Sequence, residues 1–281
     1  MSLETEAIKP HIGSIIRADR AALCEDDATA QACLDLLEQR GVLVFPGINM
    51  SDAQQLAFTD RLGDRVNYTS TASGSDADAQ DVYTISLDPA VNKEPFYVLG
   101  TFFWHMDGVT SDIPPPRATI LSGRRISARG GQTEFANTYA AYAGLPDWEK
   151  AEVADLRVIH SAYASTRLVM EEEGNDEFFS RARRYVKEHP LVWTHASGRK
   201  SLLLGSHADR VKDMPLAHGR SLLARLLEWT AQPDYYYRHE WQEGDLVIWD
   251  NCGTVHRVVP YDETSGRTMH RTTIAGTELV S

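Results

Sequence analysis

Cysteine is scarce in this 281-residue chain: Cys24, Cys33 and Cys252 form an odd, scattered set with no C-x-x-C pair. That excludes a disulfide scaffold or a dithiol redox motif and fits a reducing cytoplasm. Long apolar runs are missing too. None approaches the roughly 20 residues that a membrane helix needs, so no membrane partner is expected. The opening Met1-Ser2-Leu3-Glu4-Thr5-Glu6 has neither a basic nor an apolar region of the kind a signal peptide carries. Positive charge is in deficit: 28 Lys and Arg stand against 40 Asp and Glu, a net charge of −12. Such a field repels nucleic acid. It repels small anions as well, so an anionic substrate must be captured by particular arginines in a pocket. Internal repeats and linkers are also absent, and a single domain over 1–281 is expected.

Apolar residues at 42% and charged residues at 24% suit a soluble globular core. The N-terminal part, 1–80, reads as α/β elements. Ala28 to Arg40 has the spacing of an amphipathic helix ended by Gly41. Val42-Leu43-Val44-Phe45 reads as a buried strand, and Ser51 caps a helix over 52–62. Thr69 to Asp81 is rich in Ser, Ala, Gly and Asp and reads as a loop that could act as a lid.

Between 82 and 275 short strands dominate: 82–87, 97–104, 117–123, 131–135, 156–160, 191–195, 201–204, 234–241, 245–249, 254–258 and 271–274. Gly, Pro and Asp punctuation between them suggests an antiparallel jelly roll or barrel. Helical insertions are expected near 161–190 (a charged helix over 176–187) and 215–230. In the latter, Leu222, Leu223, Leu226 and Leu227 should pack on the sheet.

Trp104-His105-Met106-Asp107 ends the apolar run 98–103. On a strand, residues two apart share a face, so His105 and Asp107 could bind one metal. An imidazole, a carboxylate and a further His make the facial triad that holds non-haem Fe(II). His256 lies in Trp249-Asp250-Asn251-Cys252-Gly253-Thr254-Val255-His256, where a strand, turn and strand would give it a rigid base. Arg267 and Arg271, four apart, could point into one cavity, and Arg grips a carboxylate bidentately.

These motifs, with Gly130-Gly131-Gln132-Thr133, stand in the order found in the iron(II)/2-oxoglutarate-dependent dioxygenases of the taurine and dichlorophenoxyacetate dioxygenase (TauD/TfdA) family. The resemblance runs from about Leu34 to Ile274. It implies a double-stranded β-helix, a cupin-like jelly roll that is mainly β with helical insertions. It implies Fe(II) held by His105, Asp107 and His256. Arg267, assisted by Thr133, would hold the distal carboxylate of 2-oxoglutarate, and Arg271 would face either co-substrate or substrate. The implied reaction consumes O2, hydroxylates a C–H bond and yields succinate and CO2. Members of the family often form homo-oligomers.

Within the resemblance, taurine-type enzymes present a His where this chain has Asn67, Tyr68, Thr69 and Ser70. The segments 194–200 and 237–241 resemble the phenoxyacetate-cleaving branch. The expected substrate is a small carboxylate, aryloxyalkanoate-like or a natural aromatic acid, with ether cleavage where the oxidised carbon bears oxygen. A sulfonate or sulfate ester is the alternative. A zinc hydrolase or a non-catalytic jelly-roll binding module would have no use for Arg267 and Thr133.

His207-Ala208-Asp209 is a second His-x-Asp and the internal rival, but it reads as a polar loop. His160 ends a strand and could border the pocket. His11, His189, His195, His218, His239 and His270 are read as hydrogen-bonded structural residues. Tyr235-Tyr236-Tyr237 reads as a half-buried strand, Cys252 as small filler, and Trp104 and Trp249 as pocket walls.

Overall fold

Val42–Phe45 is buried along its whole length because its two faces serve two cores. Val42 and Val44 point to one side, Leu43 and Phe45 to the other, the alternation of a strand covered on both faces. The computed structural model describes residues 3–66, 82–92 and 96–281. The lid reading of Thr69 to Asp81 and the Asn67–Ser70 segment lie outside the described residues.

The chain opens with β1 (Glu4–Ala7), β2 (Ser14–Arg17), α1 (Arg20–Glu25), α2 (Asp27–Arg40), β3 (Val42–Phe45) and α3 (Asp52–Leu62). Next come β4 (Tyr83–Ile85), α4 (Phe96–Gly100), β5 (Ala118–Arg125), β6 (Thr133–Asn137), α5 (Thr138–Gly144) and α6 (Asp147–Val153). The insertion contributes β7 (Arg157–Ser161), α7 (Ala162–Thr166), α8 (Asp176–Ala182) and β8 (Val186–Pro190). After it follow β9 (Val192–Thr194), β10 (Lys200–Leu202), β11 (Ala208–Val211) and α9 (Leu216–Thr230). The chain closes with β12 (Tyr236–His239), β13 (Leu246–Asp250), β14 (Thr254–Val258) and β15 (Thr268–Ile274).

A seven-stranded sheet runs β1-β2-β3-β13-β5-β15-β4, and a three-stranded sheet runs β12-β6-β14. Val44, Leu121, Val247, Trp249 and Met269 of the large sheet meet Phe135 of the small one, so one core lies between the sheets. The opposite face of the large sheet buries Leu43, Phe45, Ile120 and Ile248 against Leu23, Leu34, Leu37 and Phe58 of α1–α3. Two further sheets, β11-β7-β8 and β10-β9, share a second core with Ala136 of β6 and Val255 of β14. Leu222, Leu223 and Leu226 of α9 pack with Val158 of β7 and Val211 of β11, as their spacing required.

Local chemistry sets several boundaries. Asp26 caps α2 by accepting from Ala28 and Thr29, and Gly41 ends it in the left-handed region (φ +70°). Ser51 and Gln54 form a reciprocal capping box on α3.

Three expectations are corrected. Residues 97–104 are not a strand: α4 and turns replace it. Hydrophobicity alone cannot separate a short buried strand from a helical turn, and this run divides its apolar groups in two directions. Val98 packs with Leu87 and Tyr261, whereas Phe96 and Tyr97 stack with Phe178. The helix over 176–187 stops at Ala182, and the chain re-enters a sheet at Val186. Residues 208–211 form a strand, β11, paired with β7. From the N-terminal part, β2 and β3 join the large sheet beside β13. Among the described residues no helix is long and apolar enough to cross a membrane.

Candidate metal centre and substrate cavity

His256 is rigid because β14 pairs with β6 on the inner sheet, with His256 opposite Phe135. His105 and Asp107 ride on a loop. A β-bridge ties it to β14, His105 N–H to His256 O at 3.1 Å and His256 N–H to His105 O at 3.0 Å. His105 Nε2 lies 3.7 Å from Asp107 Oδ1, and His256 Nε2 lies 4.0 Å from Asp107 Oδ2. Those separations are too long for hydrogen bonds. The three ligand atoms nevertheless fall within 4.8 Å of one another, the arrangement of groups sharing a cation.

The proton positions agree with that use. Phe103 O can only accept, so at 2.8 Å it holds the His105 proton on Nδ1 and leaves the Nε2 lone pair facing the centre. Burial pushes His256 down to about 3, and His105 adds to the effect. Burial opposes the charge on Asp107, but His256, His105, Arg271 and the Thr119 hydroxyl outweigh it and hold the carboxyl below its usual range. Two imidazoles and one carboxylate are the donors a hard-to-borderline divalent ion requires.

Behind the ligands runs a relay that sequence reasoning missed. Trp249 Nε1–H donates to Asn251 Oδ1 at 2.8 Å, and Asn251 Nδ2 donates to Thr119 Oγ1 at 2.8 Å. Thr119 then donates to Asp107 Oδ2 at 3.5 Å. The register of β13 on β5 sets Trp249 opposite Thr119, which is why the Trp-Asp-Asn run and Thr119 meet.

Arg267 is 2% exposed. One of its terminal nitrogens, Nη2, donates to Gly131 O at 3.1 Å, and the guanidinium lies 4.8 Å from the Tyr261 ring centre. Arg267 Nε and the Tyr261 hydroxyl are buried without hydrogen-bond partners. Gly131 makes room for this cation: its φ is +80°, and a Cβ there would lie 2.9 Å from Arg267 Cδ and Nε. Thr133 Oγ1 accepts from Trp241 Nε1–H at 2.9 Å, so its own proton is free to donate. A buried guanidinium with an unused donor, and no acidic partner among the described residues, is costly unless an anion completes it.

Arg267 precedes β15, and a register shift between Thr268 and Met269 breaks the simple alternation. Arg271 stacks on Tyr83 at 4.9 Å and lines a cavity of about 310 Å³ together with His105 and Asp107. Phe96, Tyr97, Val98, Val109, Val169 and Phe178 make its walls predominantly apolar. A further chamber of about 370 Å³ adjoins it past Tyr97, Thr166 and Phe178.

His207-Ala208-Asp209 is no metal pair. Asp209 is bonded to Arg220 and Arg210, at 2.6 and 2.5 Å. The His207 ring touches the metal loop through Met106 N–H instead. His160 does not line the cavity; it is buried against His207. His189, His195, His239 and His270 each have a hydrogen-bond partner, as structural residues should. Tyr236 is half-buried on its strand with its hydroxyl on Glu134, and Cys252 only brushes Pro116 O. Trp249 lies 4.8 Å from the His256 ring, whereas Trp104 faces Tyr236 and Arg257 on the outer side.

A two-His, one-carboxylate cluster and a buried arginine with a spare donor, on a two-sheet scaffold, are the equipment of the non-haem iron oxygenases that use an oxo-acid co-substrate. The chain belongs to the taurine catabolism dioxygenase TauD, TfdA family, whose model matches residues 4–273. It is 38% identical over 252 residues to the alpha-ketoglutarate-dependent 2,4-dichlorophenoxyacetate dioxygenase of Cupriavidus pinatubonensis, covering 85% of each chain. It is 32% identical over 285 residues to an alpha-ketoglutarate-dependent sulfate ester dioxygenase of Pseudomonas putida, covering 98% of this chain and 90% of the other. The crystal structure of AAD-2 in complex with Mn(II) and N-oxalylglycine matches with a TM-score of 0.81 at 31% identity, over the whole of both chains. The protein is thus an Fe(II)- and 2-oxoglutarate-dependent dioxygenase, an oxidoreductase that uses O2.

Proposed function

We propose that His105, Asp107 and His256 hold the iron, and that Arg267 and Thr133 hold the distal carboxylate of 2-oxoglutarate. The observation that carries the assignment is the convergence of three ligand atoms within 4.8 Å, taken together with a buried arginine that keeps a spare donor. The β1–β3 strands complete the same large sheet as β13, which supports one domain over 1–281 built as a double-stranded β-helix. Oxidising power comes from the iron with 2-oxoglutarate, which leaves as succinate and CO2 when one oxygen atom enters a substrate C–H bond. The chain's own residues do the placing. Thr119 and Phe103 orient two ligands, the apolar walls exclude water, and Arg271 offers a charge to the substrate.

The substrate is a small carboxylate with an aromatic or similarly apolar body. Phe96, Tyr97 and Phe178 form a ring-lined wall, with Phe96 edge-on to Phe178 at 4.7 Å, and Arg271 provides the anion's partner beside Asp107. Hydroxylation next to an ether oxygen would give a hemiacetal that collapses with cleavage of the C–O bond. A sulfate ester is the second reading, since Arg271 would serve a sulfate as well and a relative acts on such esters.

The deciding experiment measures O2 uptake and succinate release with Fe(II) and 2-oxoglutarate across aryloxyacetates, aromatic acids, alkyl sulfates and sulfonates. Turnover with the aromatic carboxylates and not the sulfates is expected. Preference for alkyl sulfates would establish the second reading, and turnover of neither group would overturn both.

A further inference from the structure

We propose that His207 is a positioning residue that fixes the loop carrying His105 and Asp107, with His160 accepting the Nδ1 proton that His207 must carry for that task. The inference rests on the metal-ligand assignment above.

The loop is bridged to the sheet on its His256 side. Its opposite side is held by residues 205–207. Ser206 N–H donates to Trp104 O at 2.7 Å, and Met106 N–H donates to His207 Nε2 at 3.2 Å. Met106 sits between the two ligands, so this bond fixes the peptide that joins them. Gly205 permits the approach. A Cβ there would lie 2.8 Å from His207 Nε2, 3.0 Å from His105 Cα and 3.2 Å from Trp104 O, at a φ of +143°.

An amide N–H only donates, so His207 Nε2 must carry a lone pair and the proton must sit on Nδ1. His207 Nδ1 is 2.7 Å from His160 Nδ1, which must therefore accept. Both rings are buried, and His160 is fully so. The order runs in one direction: Met106 to His207 to His160. The strand that carries His160 also grips the His207 backbone, through Ser161 N–H to His207 O at 2.7 Å. His207 lines the cavity with its ring, but both nitrogens are engaged and neither is free for a substrate anion.

The test is Mn(II) binding to the full chain, followed by electron paramagnetic resonance, alongside substrate KM in the iron-loaded enzyme. Gln places an oxygen where His207 Nε2 lies, whereas Asn reaches only the Nδ1 position. His207→Leu and His207→Asn should therefore weaken Mn(II) binding about ten- to a hundredfold, as loss of an outer partner of a metal site does. His207→Gln should recover most of it. Equal binding by the Gln and Asn variants, or wild-type Mn(II) binding by Leu together with a raised substrate KM, would overturn the proposal. His105→Ala is the control. If it binds Mn(II) like the wild type, the ligand assignment itself falls; if it abolishes binding while the His207 variants do not weaken it, only the positioning role falls. Should the Leu variant fail to fold, the Gln–Asn pair decides.

Discussion

Asn251 Nδ2 donates to the Thr119 hydroxyl at 2.8 Å, which commits the hydroxyl proton of Thr119 to Asp107 Oδ2, 3.5 Å away. The Trp-Asp-Asn run thus acts on a candidate metal ligand it never touches, through one strand pairing.

Thr119→Val keeps the shape of the side chain and removes that proton. Metal affinity should fall by about tenfold, in line with other losses of an outer partner. Mn(II) titration of the variant, with circular dichroism as the check on folding, measures it. Unaltered affinity would reduce the relay to a packing contact.

Arg267→Ala removes a buried cation from its anion, a change of about 2–5 kcal/mol. The expected result is at least a thirtyfold loss of affinity for 2-oxoglutarate, or for N-oxalylglycine, in the Mn(II)-loaded protein. Arg271→Ala should leave that affinity within a few-fold and raise the KM of the primary substrate. Calorimetry separates the two arginines, and the reverse pattern would exchange their roles.

Gly131→Ala tests the space beside Arg267. With φ at +80° and the new Cβ 2.9 Å from Arg267 Cδ and Nε, either the loop or the guanidinium must move. The expected outcome is a lower Tm together with at least tenfold weaker 2-oxoglutarate binding. A loss of stability with unchanged binding would show that the arginine is not displaced.

Asp250 should make stability depend on pH. Burial raises its carboxyl from 3.8 to about 6, although the N–H of Cys252 favours the charged form. Between those values the unfolded chain has lost the proton and the folded one retains it, so rising pH favours unfolding. The wild type should lose about 2 kcal/mol from this group between pH 4 and 6, with little further loss above pH 7. Asp250→Asn can still accept the Cys252 N–H bond, now 2.8 Å, without the ionisation. Its Tm should gain on the wild type across that window, and a constant difference from pH 4 to 7 would refute the assignment.

Motif spacing was sufficient to pick out His105, Asp107 and His256, which the fold brings together, because one residue between two candidate ligands and a strand–turn–strand before the third are local features. The neighbourhood of Arg267 was visible for the same reason, through the paired glycines 130 and 131. Thr119 was not visible. Its part depends on standing opposite Trp249 across β5 and β13, a register no local pattern records. His207 was seen only as a rival metal pair, since the bonds that divert Asp209 to Arg220 and His207 to Met106 are long-range. Residues 97–104 misled for a different reason: an apolar run is apolar in a strand or a helix, and only its partners Phe178 and Tyr261 decide between them.

The uneven mounting of the three candidate ligands bears on how the enzyme could acquire new substrates. His256 belongs to a paired strand, whereas the other two share their loop with Met106, Gly108, Val109 and Thr110 of the cavity wall. Changes along that loop therefore disturb the reactive centre along with the fit. Phe178, Thr166 and Val169 reach the same space from the insertion and carry no ligand. Diversification has a safe route on that side and a hazardous one on the other, so a library confined to the insertion should yield altered selectivity with the fewest inactive members.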